Sequence, residues 1–72
     1  MEYYQYLLKV NKLMSAYPEL RYGQALVNVL GELNYDLLVR VPQNADPYYD
    51  NDKISNFLSF TLEEWYKNEN QT

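Results

Sequence analysis

Three carboxylates fall within seven residues in Asp46-Pro47-Tyr48-Tyr49-Asp50-Asn51-Asp52, a density that first suggests a hard cation. Calcium needs several oxygens converging from one short loop. A twelve-residue calcium loop started at Asp50 would require Gly where Ser55 stands and Glu where Thr61 stands. Both fail, so the carboxylates read as helix N-caps facing the positive end of a dipole, and no metal or other cofactor is expected. Glu63 and Glu64 are adjacent. On a helix they point about 100° apart and cannot flank one bond, so they read as a solvated face. A third group is Arg21, Gln24 and Asn28, spaced by three and four residues along one polar side of a helix. Arg offers a planar fork for carboxylate or phosphate, and Gln and Asn offer paired donors and acceptors. This group admits three readings: a solvated face, a staple from Arg21 to the 46–52 loop, or a small anionic ligand such as a nucleotide held between Arg21 and the rings of Tyr48 and Tyr49.

What the sequence lacks removes most catalytic classes. It has neither Cys nor His. There is thus no disulfide, no thiolate nucleophile, no imidazole base and no Ser/His/Asp or Cys/His set. The expectation is a protein without enzymatic activity. No apolar run reaches the ~18–20 residues of a membrane span, and Met1-Glu2-Tyr3-Tyr4-Gln5 lacks the basic start of a secretory signal. A cytoplasmic protein with no membrane partner is expected. The net charge is −4, and its excess lies late. Residues 1–41 hold four acidic and four basic side chains, whereas residues 42–72 hold six and two. No cationic stripe stands ready to displace counterions, which argues against nucleic acid as a partner.

The elements that must position these groups follow from apolar spacing. Tyr3, Tyr6, Leu7, Val10, Leu13, Met14 and Tyr17 repeat at three and four residues, with Gln5, Lys9, Lys12 and Ala16 opposite, which predicts a helix over 2–17. Pro18 closes it and is expected to open a second helix over 18–33. The apolar arc of that helix holds Leu20, Tyr22, Gly23, Leu26, Val27, Val29, Leu30 and Leu33, and its polar side adds Ala25 and Glu32 to Arg21, Gln24 and Asn28. Gly23, near the middle of the arc, is expected to admit a second helix closely. Gly31 or Asn34 ends the helix. Residues 35–41, Tyr-Asp-Leu-Leu-Val-Arg-Val, are too few for periodicity to separate helix from strand. A turn-rich loop, Pro42 to Pro47, leads to a last helix over 52–67 with Ile54, Phe57, Leu58, Thr61, Leu62 and Trp65 inward. Residues 68–72 are polar and should fray. The fold expected is a mainly α, single compact domain over 1–72, three helices with an ordered connector before the last.

The aromatic content is the remaining signal. Nine Tyr, two Phe and one Trp in 72 residues exceed what one small core can hide. Tyr is enriched at interfaces, where it covers large area at small entropic cost. Tyr4 and Leu8, one turn apart, lie beside the core arc of the first helix, and Phe60 lies off the arc of the last. These three are the expected contact surface, for a protein partner, a second copy, or both.

The stretch Tyr17-Pro18-Glu19-Leu20-Arg21-Tyr22-Gly23-Gln24 with Asn28 resembles a pattern, aromatic-Pro-x-x-Arg-x-Gly-Gln-x-x-x-Asn, of small uncharacterised bacterial and phage proteins. Asp46-Pro47-Tyr48-Tyr49-Asp50-Asn51-Asp52 is similar to an Asp-aromatic-aromatic stretch before their final helix. The resemblance spans residues 13–65. It implies a fold but no reaction, and its phage members imply a protein acting in the host cytoplasm on a host or defence protein.

Overall fold

A computed structural model describes the backbone of residues 1–70 and the side chains of residues 1–67. Helix α1 runs over Tyr3–Ala16. Its first turn is closed by Gln5, whose Oε1 accepts the Glu2 N–H at 2.7 Å and so satisfies one donor that no helix turn can reach. Helix α2, Tyr22–Leu33, begins with the same device: Gln24 Oε1 accepts the Arg21 N–H at 3.1 Å. Pro18 therefore does not open the second helix, contrary to the expected start at 18. It lies in a turn closed by Leu20 N–H donating to the Tyr17 carbonyl at 3.0 Å. The chain reverses over residues 17–21, and only after Arg21, itself extended, does helical geometry resume.

Asn34 serves two helices. Its N–H closes α2 on the Leu30 carbonyl at 2.8 Å, and its Oδ1 accepts the Leu37 N–H at 3.1 Å to open helix α3, Tyr35–Arg40. The segment that periodicity left open is thus helical, and the connector expected between helices holds a fourth one. Asp36 in its first turn and Arg40 in its last complement the dipole, and Arg40 also pairs with Glu64 at 2.8 Å. A 3₁₀ turn over Gln43–Ala45 and the buried Pro47 follow. Asp50 Oδ1 accepts the Asp52 N–H at 2.9 Å, starting a second 3₁₀ turn over Asn51–Lys53 that runs into helix α4, Ile54–Asn70. Of the three carboxylates expected to cap the last helix, Asp50 caps the 3₁₀ turn that leads into it and Asp46 instead accepts the Tyr48 N–H in the loop; the α-helix starts two residues later than expected. The fraying expected of 68–72 falls largely on residues and side chains outside those described.

The core joins α1, α2 and α4 around Tyr6, Val10, Leu26, Leu30, Phe57 and Thr61, with Leu37 of α3 beneath. Ala25, expected on the polar side, is fully buried; Tyr17, Leu33 and Leu62, expected inside, are exposed. Tyr17 caps α1 with non-helical angles, φ −131° and ψ 79°, so its side chain leaves the helical arc. Leu33 ends α2 beside the chain's exit into Asn34, and Leu62 lies on the flank of α4 away from Thr61. In so small a domain a wide apolar arc has fewer neighbours than residues to cover. Among the described residues no strand occurs, and no helix is long and apolar enough to cross a membrane.

Gly23 is a point of close approach, as its place in the arc suggests, but the neighbour is a loop and not a helix. A Cβ there would overlap the Pro47 carbonyl oxygen and lie 2.9 Å from the Pro47 carbonyl carbon. Arg21 completes this seam: its Nη2 donates to the Tyr48 carbonyl at 2.9 Å. The staple expected from Arg21 thus exists but takes a carbonyl as acceptor. The carboxylate of Asp46 accepts the Tyr48 N–H at 3.1 Å and shapes the loop instead.

Candidate interaction surface

The outward face of α1 is set by what its inward face must do. Tyr3 and Tyr6 are buried phenols, and each hydroxyl needs a partner inside. Tyr6 donates to the Leu26 carbonyl of α2 at 2.6 Å. Tyr3 Oη lies 2.7 Å from Thr61 Oγ1 of α4, while Thr61 donates to the Phe57 carbonyl at 2.8 Å. Their rings close around Trp65: Tyr6 stacks on it at 5.5 Å between centroids, and Tyr3 meets it edge-on at 5.5 Å. Burial pushes both phenol pKa values above the ordinary range, with Tyr6 shifted the further. Trp65 Nε1 donates to the Met1 carbonyl at 2.9 Å, and Tyr66 donates to Glu2 Oε2 at 3.0 Å. Among the described residues no buried side-chain nitrogen or oxygen lacks a hydrogen-bond partner.

These bonds fix the rotation of α1 about its axis. With Tyr3, Tyr6 and Val10 inward, Tyr4 and Leu8 must face out, and they are 60% and 59% exposed. Both were expected at a contact surface, and both lie on one stripe of the helix. Next to Leu8 the surface dips into a depression of about 410 Å³ lined by Leu8, Lys9, Asn11, Lys12 and Ser15. Lys9 and Lys12 border this face, whereas the Glu2 carboxylate turns away from it to the Tyr66 hydroxyl of α4. By spacing alone the two lysines are polar-side residues; the sequence signal for their part in this face is their position one to four residues beyond Leu8. Phe60, the third residue expected here, is half-buried against the core and offers less area than Tyr4 or Leu8.

The residues considered for a ligand lie elsewhere and are engaged in the fold. Arg21 holds the Tyr48 carbonyl, and Gln24 caps the Arg21 N–H. The Tyr48 and Tyr49 rings meet edge-on at 4.8 Å, leaving Tyr49 83% exposed. Asn28 lines a separate groove of about 420 Å³ with Leu13, Tyr17, Glu19, Leu20 and Glu32. Arg21 is not in that lining, and the two carboxylates there disfavour an anion. The structure therefore joins Arg21 to Tyr48 but does not bring Asn28 to the same place. Glu63 and Glu64 diverge as adjacent helical residues do. Glu64 takes Arg40 at 2.8 Å and Lys67 at 3.7 Å, while Glu63 is exposed.

Comparison with protein-family models, with curated proteins and with solved structures found no match for this chain.

Proposed function

We propose that this chain is a small non-enzymatic interaction module that associates with a second copy of itself through the outward face of α1. One observation carries the reading. Tyr4 and Leu8 stand one turn apart and about three-fifths exposed, on a helix whose rotation is pinned by buried hydroxyl bonds. Such a stripe is preorganised, because the fold has already fixed the helix that bears it. Large exposed apolar side chains grouped on one face of a small domain mark contact surfaces more often than chance exposure. Turning α1 to hide them would expose Tyr3 and Tyr6 and break the bonds of their hydroxyls to Thr61 and to the Leu26 carbonyl. The experiment is sedimentation equilibrium at micromolar concentration on the wild type and on Tyr4→Lys combined with Leu8→Glu. The expected result is a wild-type mass above 8.7 kDa and a monomeric variant that keeps its helical circular dichroism. A wild type that stays at 8.7 kDa across the concentration range contradicts the proposal.

A further inference from the structure

We propose that the groove between α1 and α2 receives an amphipathic helical segment of a partner protein, with an arginine of that segment held between Glu19 and Glu32. This contact is separate from the face that bears Tyr4 and Leu8 and does not rest on self-association.

The groove is what the apolar arcs of α1 and α2 leave uncovered. Leu13 and Leu20 are half-buried, and Tyr17 and Leu33, which spacing assigns to the core, are exposed. These side chains are not scattered. Leu13, Tyr17 and Leu20 line the depression of about 420 Å³ that also holds Asn28. Leu13, Val29 and Leu33 line a second depression, of about 350 Å³. The two share Leu13 and Glu32 and so form one trough. Its walls come from α1, the turn over residues 17–21 and α2, and no residue of α3 or α4 lines it.

The charges along the trough select the occupant. Glu19 and Glu32 line the first depression, which has no cation in its walls, and Lys9 and Lys12 line the second. Among the described residues none of these four charges forms an ion pair, whereas Arg40, Glu64 and Lys67 do. Two unpaired carboxylates on one concave surface favour a cation. Arginine suits the other walls as well. Its planar fork matches carboxylates, its plane stacks on a ring such as that of Tyr17, and its stem covers Leu13 and Leu20.

Length and shape set the form of the segment. From Lys9 to Tyr17 the trough follows eight residue steps of α1, ~12 Å at 1.5 Å per residue. No strand among the described residues offers an edge to an extended peptide, so the fitting mode is a helix laid in a groove. Two turns of helix cover the same length with Arg, Leu and Glu at i, i+4 and i+8 on one face. Arg then meets Glu19 and Glu32, Leu packs over Leu13 and Val29, and Glu reaches Lys9 or Lys12.

The probe is an alanine-rich helical peptide with Arg, Leu and Glu at that spacing, titrated into isotope-labelled protein and followed by NMR. Saturable amide shifts are expected at Leu13, Tyr17, Glu19, Asn28, Glu32 and Leu33. A peptide with Glu in place of Arg should bind about tenfold more weakly. Glu19→Gln combined with Glu32→Gln, which removes no ion pair from the fold, should bind the two peptides alike. The Tyr4→Lys, Leu8→Glu variant should still bind the arginine peptide, which separates this site from self-association. Equal binding of both peptides to the wild type, no saturable shift, or shifts centred on the 46–52 loop or on Tyr4 and Leu8 would overturn the proposal.

Discussion

Gly23→Ala should destabilise this protein, although alanine favours a helix interior over glycine by about 1 kcal/mol. The reason is local. The new Cβ would overlap the Pro47 carbonyl oxygen, with the carbonyl carbon at 2.9 Å and the Pro47 Cβ at 3.2 Å. Those atoms belong to loop backbone and a rigid ring, so relief requires moving the loop. Moving it strains the Arg21 bond to the Tyr48 carbonyl and lifts the buried Pro47 and Ala45. Overpacking costs about 1–3 kcal/mol, and a weakened hydrogen bond adds about 1 kcal/mol. After the propensity gain, the net loss is about 1–3 kcal/mol. In a domain this small each 1 kcal/mol lowers Tm by about 4–8 °C. Gly31→Ala is the internal control, because its Cβ would meet only Leu38 Cδ2, at 3.3 Å, the end of a flexible side chain. It should be neutral or raise stability by up to about 1 kcal/mol. Thermal and urea denaturation followed by circular dichroism measure both. Gly23→Ala as stable as the wild type, or a rank order reversed between the two glycines, would refute the close approach of the Pro47 loop.

Further outcomes follow from the same bonds. Arg21→Ala should lower stability by about 1 kcal/mol without any ligand, and Asp50→Asn should leave that loss unchanged, since the guanidinium holds the Tyr48 carbonyl; a double-mutant cycle in urea shows whether the two couple. A nucleotide that raises the Tm of the wild type but not of Arg21→Ala would instead favour a ligand at Arg21. Stability should fall as pH rises above 10.0, the ordinary tyrosine value, because the unfolded chain releases protons there that buried Tyr3 and Tyr6 retain. For Tyr6 alone the slope is about 1.4 kcal/mol per pH unit, and Tyr6→Phe should make the alkaline loss shallower while costing about 1 kcal/mol at neutral pH.

Local pattern carried much of the fold. The three- and four-residue spacing of Tyr3, Tyr6 and Val10, and of Phe57, Thr61 and Trp65, placed the inward faces of α1 and α4. Gly23 signalled a close approach, but one residue's lack of a side chain does not say what comes near it, and the neighbour proved to be Pro47. Helix α3 spans under two turns, too few for periodicity; the signals that mark it are Asn34 as a cap with Asp36 and Arg40 at the ends the dipole favours. The clasp of Trp65 on the Met1 carbonyl links residues 64 apart, and no local spacing encodes such a bond. For the surface, Tyr4 and Leu8 were legible as apolar residues beside the arc. The depression next to Leu8 was not, because its walls are polar side chains that read as an ordinary solvated face. Arg21, Gln24 and Asn28 admitted a ligand site from residue type alone; in three dimensions Gln24 caps the Arg21 N–H, Arg21 holds the Tyr48 carbonyl, and Asn28 lines a separate groove.

Whether the outward face of α1 joins two copies is decided by sedimentation equilibrium of the wild type beside the Tyr4→Lys, Leu8→Glu variant. The expected wild-type mass climbs from 8.7 kDa toward twice that value through the micromolar range, while the variant remains at the lower mass with unchanged helical content. A wild type fixed at 8.7 kDa, or a variant that dimerises as the wild type does, would contradict it.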